Sequence, residues 1–492
     1  MNKIYKYLFI GAIAFSTNAC ADLDLNPLSE GSSENWYRDE TEIKMALNDL
    51  LRPDFFPIDD IKWDDDMLDR GKSNEITLGT ITSQWKTVSD RWSALYKSVV
   101  RAIKVIQALE SGAANAVSED KINQYKGEAY FMIGFAYCEL ATYYGDCVLN
   151  KGMTLDEAYE AVRSPKSEVL AYAFECLDKA AEYLPVSYKG QQRPTKGAAL
   201  GFKARFALFH EDWETAIQAA EECMNLGVYQ LHDNFEELFK ADSSPELMFY
   251  FKGDLTQKKG FGLFSDIKNR VIRKIGGTAG QSPSLELFCS YTCIDGLPID
   301  KSPLYNPKDP FANRDPRLAM TIQPFKTKYS DDYAEYEQSK IDGSFPEKYP
   351  DYILLGYEYN PNPYATKVYE VSSGQMVLSA DSKASNQHSA YNGLLMRKFV
   401  KDNWKDFNSN GNVADNCYPY LRYAEILMTY IEAKNELAKC TQEDLDKTIN
   451  LIRERAYRGS GITYPRVEVT SQEALRKIIR MEPVSYTHLR AH

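Results

Sequence analysis

The chain has 492 residues, is 44% hydrophobic, and carries 70 acidic against 58 basic side chains for a formal charge of −12. That apolar fraction supports a real core and excludes global disorder. The net negative charge argues against nucleic acid as a partner, because phosphate recognition needs a basic footprint.

Reading from the start, Lys3 and Lys6 precede a short apolar run from Tyr7 to Phe15, and small residues lead to Cys20. A run this short is an export-signal core, since a bilayer-spanning helix needs about 20 apolar residues. Residues 1–19 are read as a signal peptide and Cys20 as a lipidation site, with Ala19 as the small residue before it. Thr17 and Asn18 depart from the usual lipoprotein pattern. Two or three acyl chains, at about 0.8 kcal/mol per buried CH₂, anchor a protein stably. Of the other eight cysteines, none forms a CxxC or a zinc-type cluster, and no disulfide framework is expected.

Helical periodicity dominates residues 36–226. Trp92, Leu95, Tyr96, Val99, Ile103 and Ile106 make one apolar face, as do Ala129, Ile133, Ala136, Tyr137, Leu140 and Tyr144 before the stop at Gly145-Asp146. Thr154-Leu-Asp-Glu157 is a capping box. Ser164-Pro165 reads as a cap followed by a first-turn proline. From Thr195 to Cys223, Ala198, Phe202, Ala204, Phe206 and Ala207 line one helix, His210-Glu-Asp212 turns, and Trp213, Ala216, Ile217 and Ala220 open a second. Small residues at the crossing and aromatics in the groove are the tetratricopeptide arrangement. Residues 227–414 lose this period. Leu247–Phe251 and Leu394–Met396 suggest short strands, and residues 325–370 carry nine tyrosines. A helix containing Tyr423, Ile426, Leu427, Tyr430, Ala433 and Leu437 then pairs with Leu445–Ala456. The fold class expected is mainly α: tetratricopeptide-like helix pairs plus an irregular, loop-rich subdomain with a few strands.

At this point the chain resembles the SusD/RagB family. Leu23-Asp-Leu-Asn-Pro27 is similar to its opening and Trp92-Ser-Ala-Leu-Tyr96 to its W-x-x-L-Y helix. Glu128–Phe131 through Tyr143–Asp146 resembles its E-A-x-F … Y-G-D helix. Leu177–Ala180, Leu184-Pro185 and Thr195–Leu200 resemble the next pair. Asp309-Pro-Phe311 with Asn313–Leu318 resembles the D-P-R-L turn, and Tyr420–Ile426, Glu432-Ala433 and Ile452–Ala456 the late helices. The resemblance implies a lipid-anchored, surface-exposed outer-membrane protein that binds oligosaccharide or polysaccharide without cleaving it and partners a SusC-like TonB-dependent transporter. It implies no catalytic residue; the residues themselves suggest no cofactor and no metal site, with calcium at Asp64-Asp-Asp66 and Asp69 as the alternative to a solvated rim. It divides the chain into a helical part at 20–226, an irregular ligand-binding subdomain at 227–414 and C-terminal helices at 415–480. Beyond Arg480 the family pattern stops. Residues 481–492 read as translated sequencing adaptor, so that His488 and His492 drop out of any site and a C-terminal packing segment is missing.

A glycan site needs flat aromatic faces and polar groups for hydroxyls. Trp63 and Trp85, in the loop-rich 52–90 stretch and off any clear helical stripe, are the first candidates. Tyr329 and Tyr359 represent the tyrosine-rich loop, and Asp66 is a hydroxyl acceptor. Asp64-Asp-Asp66 with Asp69 reads as a solvated acidic rim, since it lacks the glycine and glutamate of a calcium loop. Lys258, Lys259, Lys268, Arg270, Arg273 and Lys274 read as a solvated basic loop. Two rival functions are a glycoside hydrolase, whose two carboxylates abundance alone cannot identify, and a scaffold binding peptides in its repeat groove. No G-x-S-x-G, P-loop or histidine cluster supports other chemistry.

Overall fold

The computed structural model describes residue 37 and residues 39–482, apart from 57–66, 70–74, 76–77, 113–116, 189–191, 258–266, 271–276, 308, 325–366, 371–374, 379–393 and 402–413. Helix α1 (Glu40–Leu50) leads through a short turn at Pro53–Phe55 and strand β1 (Met67–Asp69) to the long pair α2 (Lys86–Glu110) and α3 (Glu119–Tyr144). Helices α4 (Leu155–Glu160), α5 (Lys166–Tyr183), α6 (Lys196–Phe209), α7 (Trp213–Asn225) and α8 (Phe235–Leu238) follow. The irregular part holds β2 (Leu247–Lys252), β3 (Gln281–Pro283), α9 (Leu285–Ser290), α10 (Pro316–Thr321), β4 (Lys367–Glu370) and β5 (Gln375–Leu378). Strand β6 (Cys417–Arg422) runs straight into α11 (Tyr423–Glu436). Then come α12 (Gln442–Leu445), a π-helical turn (Asp446–Asn450), α13 (Leu451–Tyr457) and α14 (Gln472–Met481). The fold is mainly α with helix pairs, as the sequence implies.

The helix pairs form because small residues sit where axes cross. At Gly134 a Cβ would meet Leu177 Cγ at 2.7 Å and the Ala173 carbonyl oxygen at 2.8 Å. Only a hydrogen fits, and α3 and α5 close on each other there. Helix α6 is buried nearly all round, through Ala198, Ala199, Ala204 and Ala207 as well as Phe202 and Phe206. It packs against α7 on one side and against α5, α11 and β6 on others. Aromatic rings fill the junction. Phe56 lies 4.9 Å from Phe135 and 5.3 Å from Phe249, and Phe202 lies 5.2 Å from Phe135. One cluster thus joins the turn after α1, helices α3 and α6, and the β2–β6 pair.

Local signals hold in detail at some termini and fail at others. Thr154 and Glu157 form the expected capping box, and Thr195 and Asp212 cap α6 and α7. Ser164 does not cap α5, contrary to the sequence expectation. Pro165 is itself the N-cap, Ser164 is bridged to Cys147, and the Lys166 N–H donates to Asp146 Oδ1 at 2.8 Å. The Leu394–Met396 run also departs from expectation: among the described residues it forms no strand and makes a single bridge, Met396 to Ile322. Strand β6, by contrast, carries Pro419 opposite Tyr250, beside register shifts in β2. A proline disguises a strand from sequence reading, and irregular pairing accommodates its missing N–H.

Buried ion pairs hold the irregular part. Glu246, fully buried, accepts from Arg455 Nη1 at 2.8 Å, Arg422 Nη1 at 3.1 Å and the His232 N–H at 2.8 Å. Arg314 donates to the carbonyls of Phe288, Tyr291 and Pro310 at 2.7–3.0 Å. Arg270, expected in a solvated loop, is instead only 2% exposed, so that stretch is not uniformly solvated. Helix α14 continues through Met481. Glu482, which the sequence reading placed in the terminal tail, is buried between Arg317 Nη1 at 2.7 Å and Arg453 Nε at 2.9 Å. No helix among the described residues is long and apolar enough to cross a membrane.

Candidate functional site

Of the residues singled out in the sequence, Cys20, Trp63, Asp66, Tyr329 and Tyr359 lie outside the described residues. Trp85 is described and stands at a helix boundary. It is the N-cap of α2, with extended backbone and no side-chain cap bond, because an indole offers no acceptor. Its N–H donates to Thr82 O and its carbonyl accepts from Val88 N, both at 3.0 Å. The ring is half-buried, and the segment before it exposes Leu78 and Ile81.

Trp85 precedes Trp92 by seven residues and stands outside the helix, at its N-cap. Trp92 packs 4.9 Å from both Tyr96 and Tyr144, and the Arg163 guanidinium lies 5.7 Å from its ring. The Tyr144 hydroxyl donates to Val88 O at 2.7 Å, and the Tyr96 hydroxyl to Val148 O at 2.9 Å. Burial pushes the Tyr144 phenol up from its ordinary value, so it remains a donor. Beside this cluster the Arg91 guanidinium covers the exposed Tyr143 ring at 4.1 Å. The N-terminal part of α2 and the C-terminus of α3 therefore form an aromatic and cationic end face.

A second feature ties this end of the chain to the irregular part. Strand β1 pairs antiparallel with β3, Met67 opposite Pro283, Leu68 opposite Ser282 and Asp69 opposite Gln281. Gln281 and Ser282 are buried, and Ser284 caps α9. Asp66 directly precedes β1 in the chain. The loop-rich stretch 52–90 is thus hydrogen-bonded to the region that sequence reading assigns to ligand binding.

Burial raises the thiols of Cys176 and Cys223 to about 12 and those of Cys417 and Cys440 to about 11, and Cys138 and Cys147 upward too. Such thiols stay protonated and inert. The eight described cysteines are unbridged. His210 is lowered to about 4, first by burial and then by Lys166, and its Nε2 lies 3.1 Å from Thr142 Oγ1. His232 Nδ1 lies 3.0 Å from Ser244 Oγ, but that oxygen accepts the Glu246 N–H to close a turn. The Glu246 carboxylate takes the His232 backbone N–H rather than its ring. Among the described residues no group of three or more His, Cys, Asp and Glu is placed to hold a metal ion.

Comparison with known proteins adds the following. A family model described as the SusD family matches residues 245–483, and one described as starch-binding, associating with outer membrane, matches residues 57–208. The SusD-like protein P2 of Formosa agariphila is 23% identical over 97% of this chain and 86% of its own length. A SusD-like carbohydrate binding protein from Bacteroides fragilis shares the fold with a TM-score of 0.72 and 24% identity, covering 92% of this chain and 84% of that one. A structure solved with a xylogluco-oligosaccharide shares it at a TM-score of 0.58 and 18% identity, covering 90% and 80%.

Proposed function

The chain belongs to the SusD/RagB family, and from that membership we propose that it is a cell-surface glycan-binding protein of the outer membrane. It captures oligosaccharide or polysaccharide without cleaving it, is anchored by lipid on Cys20, and passes ligand to a SusC-like TonB-dependent transporter. The observation that carries the reading is the shared fold, extending over nine-tenths of the chain, with proteins named as carbohydrate-binding. The β1–β3 pairing supports a ligand face that combines the 52–90 stretch with the irregular subdomain at 227–414. Trp85 supplies a partly exposed ring there. Trp63, Asp66, Tyr329 and Tyr359 remain proposed contributors on their residue types.

The expected affinity follows from ring stacking. Each sugar ring hides about 50 Å² of apolar surface, or about 1.2 kcal/mol at 25 cal/mol per Å². Three such contacts and a few hydrogen bonds only modestly exceed the cost of association. Dissociation constants between about 1 μM and 1 mM result. Weak capture suits a protein that must release its ligand onward, and a polymeric ligand on a tethered protein recovers avidity.

A glycan array probed with the intact protein tests this. Binding to at least one glycan class, with no reducing sugar released on prolonged incubation, is the expected result. Release of reducing ends identifies the hydrolase rival instead, and binding only to peptides identifies the scaffold.

A further inference from the structure

Between Cys147 and Ser164 the chain leaves the helical body and returns to it. The two residues pair antiparallel: the Ser164 N–H donates to the Cys147 carbonyl at 2.9 Å, and the reverse bond is 3.3 Å. The outgoing arm is fastened to α3, where the Asn150 N–H donates to the Tyr137 hydroxyl at 2.7 Å. Asn150 Oδ1 accepts from the N–H groups of Gly152 and Met153 at 2.9 and 3.0 Å. The base is therefore held in place by hydrogen bonds. The helix that it carries, α4, has six residues and buries no side chain. That is about half the length at which a helix holds in water without packing, and the Thr154–Glu157 capping box supplies its local support.

Leu155 is 70% exposed, Tyr159 81% and Val162 83%, the three highest values for large apolar side chains among the described residues. Leu155 and Tyr159 are four apart and share one side of α4. Val162 follows in the chain just after the C-cap Ala161, whose backbone is extended. Together the three leave on the order of 400 Å² in water, and apolar patches of that size mark interaction sites. A row of carboxylates runs beside them. Asp156 and Glu160 are also four apart, one position along from Leu155 and Tyr159, and no basic residue lies between Thr154 and Val162. Glu157 is used by the capping box, whereas Asp156 and Glu160 make no ion pair among the described residues. The nearest cations along the chain, Lys151 and Arg163, lie over the Tyr172 and Trp92 rings at 4.4 and 5.7 Å.

We propose that this excursion docks a protein partner whose receiving surface is an apolar groove rimmed by lysine or arginine. Leu155 and Tyr159 enter the groove as helix anchors. Asp156 and Glu160 meet the basic rim, which fixes orientation and speeds encounter. The fastened base presents the helix ready-formed and so removes part of the ordering cost. A lipid surface does not fit, because anionic headgroups repel the unpaired carboxylates. Nor does a second copy in a two-fold contact. Such a contact is self-complementary in position, so it sets these carboxylates against each other, on a chain whose net charge is −12. The inference is independent of the glycan reading above.

The test places the photo-crosslinker p-benzoylphenylalanine at position 159 of the full chain, in the cells that produce it, with the exposed position 104 on α2 as control. Irradiation is expected to give one discrete protein adduct from position 159 and none from 104. The crosslinked peptide, sequenced by mass spectrometry, is expected to carry apolar residues flanked by lysine or arginine. Asp156→Lys combined with Glu160→Lys reverses both rim contacts and is expected to reduce the adduct about tenfold. Because α4 buries no side chain, that variant should melt like the wild type. The unsubstituted acids give a second readout: in membranes from the same cells, salt at about 0.5 M should screen the contact and lower the adduct. The proposal is overturned by the absence of an adduct, by a lipid adduct, by crosslinking to a second copy of the chain, or by equal adducts from both positions. An adduct that survives both charge reversal and salt, or a crosslinked peptide without basic residues, overturns it as well.

Discussion

Between Glu119 and Asn225 the helices meet through glycine, alanine, leucine and phenylalanine. Gly134 lies on Leu177, and Ala198, Ala204 and Ala207 line α6. From Asn234 to Arg422 the regular elements are short, and arginines do much of the joining. Arg422 and Arg455 converge on Glu246, Arg314 on three carbonyls, and Arg317 and Arg453 on Glu482. The difference follows from what each part lacks. A helix satisfies its own backbone and needs only an apolar seam to pack. Irregular chain has unsatisfied carbonyls, and a guanidinium with five N–H donors can collect several at once. Such buried charges cost desolvation and contribute little net stability, yet removing one partner leaves the other uncompensated.

Three substitutions probe that contrast. Glu246→Ala strands two buried guanidinium groups, and is expected to cost about 3–5 kcal/mol in denaturant unfolding. A loss below about 1 kcal/mol would mean that the irregular part does not depend on its ion pairs. Gly134→Ala forces α3 away from α5, with an expected cost of about 1–3 kcal/mol from overpacking. A neutral outcome would show that the seam can relax. The smallest effect concerns pH. His210 is lowered from 6.5 to about 4, so the unfolded chain takes up a proton that the folded chain refuses. Stability should therefore fall as pH drops from 6.5 toward 4, and His210→Asn should make that slope shallower in melting curves. Glu246 and Glu482 are held below the ordinary carboxylate value, in spite of burial, by their arginines. Their contribution is present above the unfolded value of about 4 and is lost as pH falls through the lower folded values. Acid should thus weaken the His210 surroundings first and the arginine-bound part second.

The same contrast explains what could be read from the sequence. The helical part was legible because a 3.6-residue period repeats over long segments, as from Trp92 to Ile106 and from Thr195 to Cys223. Thr154 and Glu157 announced a terminus through side-chain chemistry alone. Ser164 misled, because its backbone is engaged with Cys147, a contact invisible in local sequence. Strand β6 was hidden by Pro419, and the burial of Arg270 by its basic neighbours Lys268, Arg273 and Lys274. Nor does any local pattern announce that Met67–Asp69 pairs with Gln281–Pro283, some two hundred residues away. That pairing is the part of the candidate site the structure adds. Trp85 stands out by residue type and loop context, and its place as the N-cap of α2 needed the helix boundary to be located.

The most direct measurement is calorimetric titration of the intact protein and Trp85→Ala with the glycan that binds best on an array. Removing one stacking ring of about 1.2 kcal/mol predicts a loss of roughly tenfold in affinity, with the melting temperature unchanged. Equal affinities for the two proteins, or a Trp85→Ala variant that no longer folds, would contradict a ligand face at the start of α2.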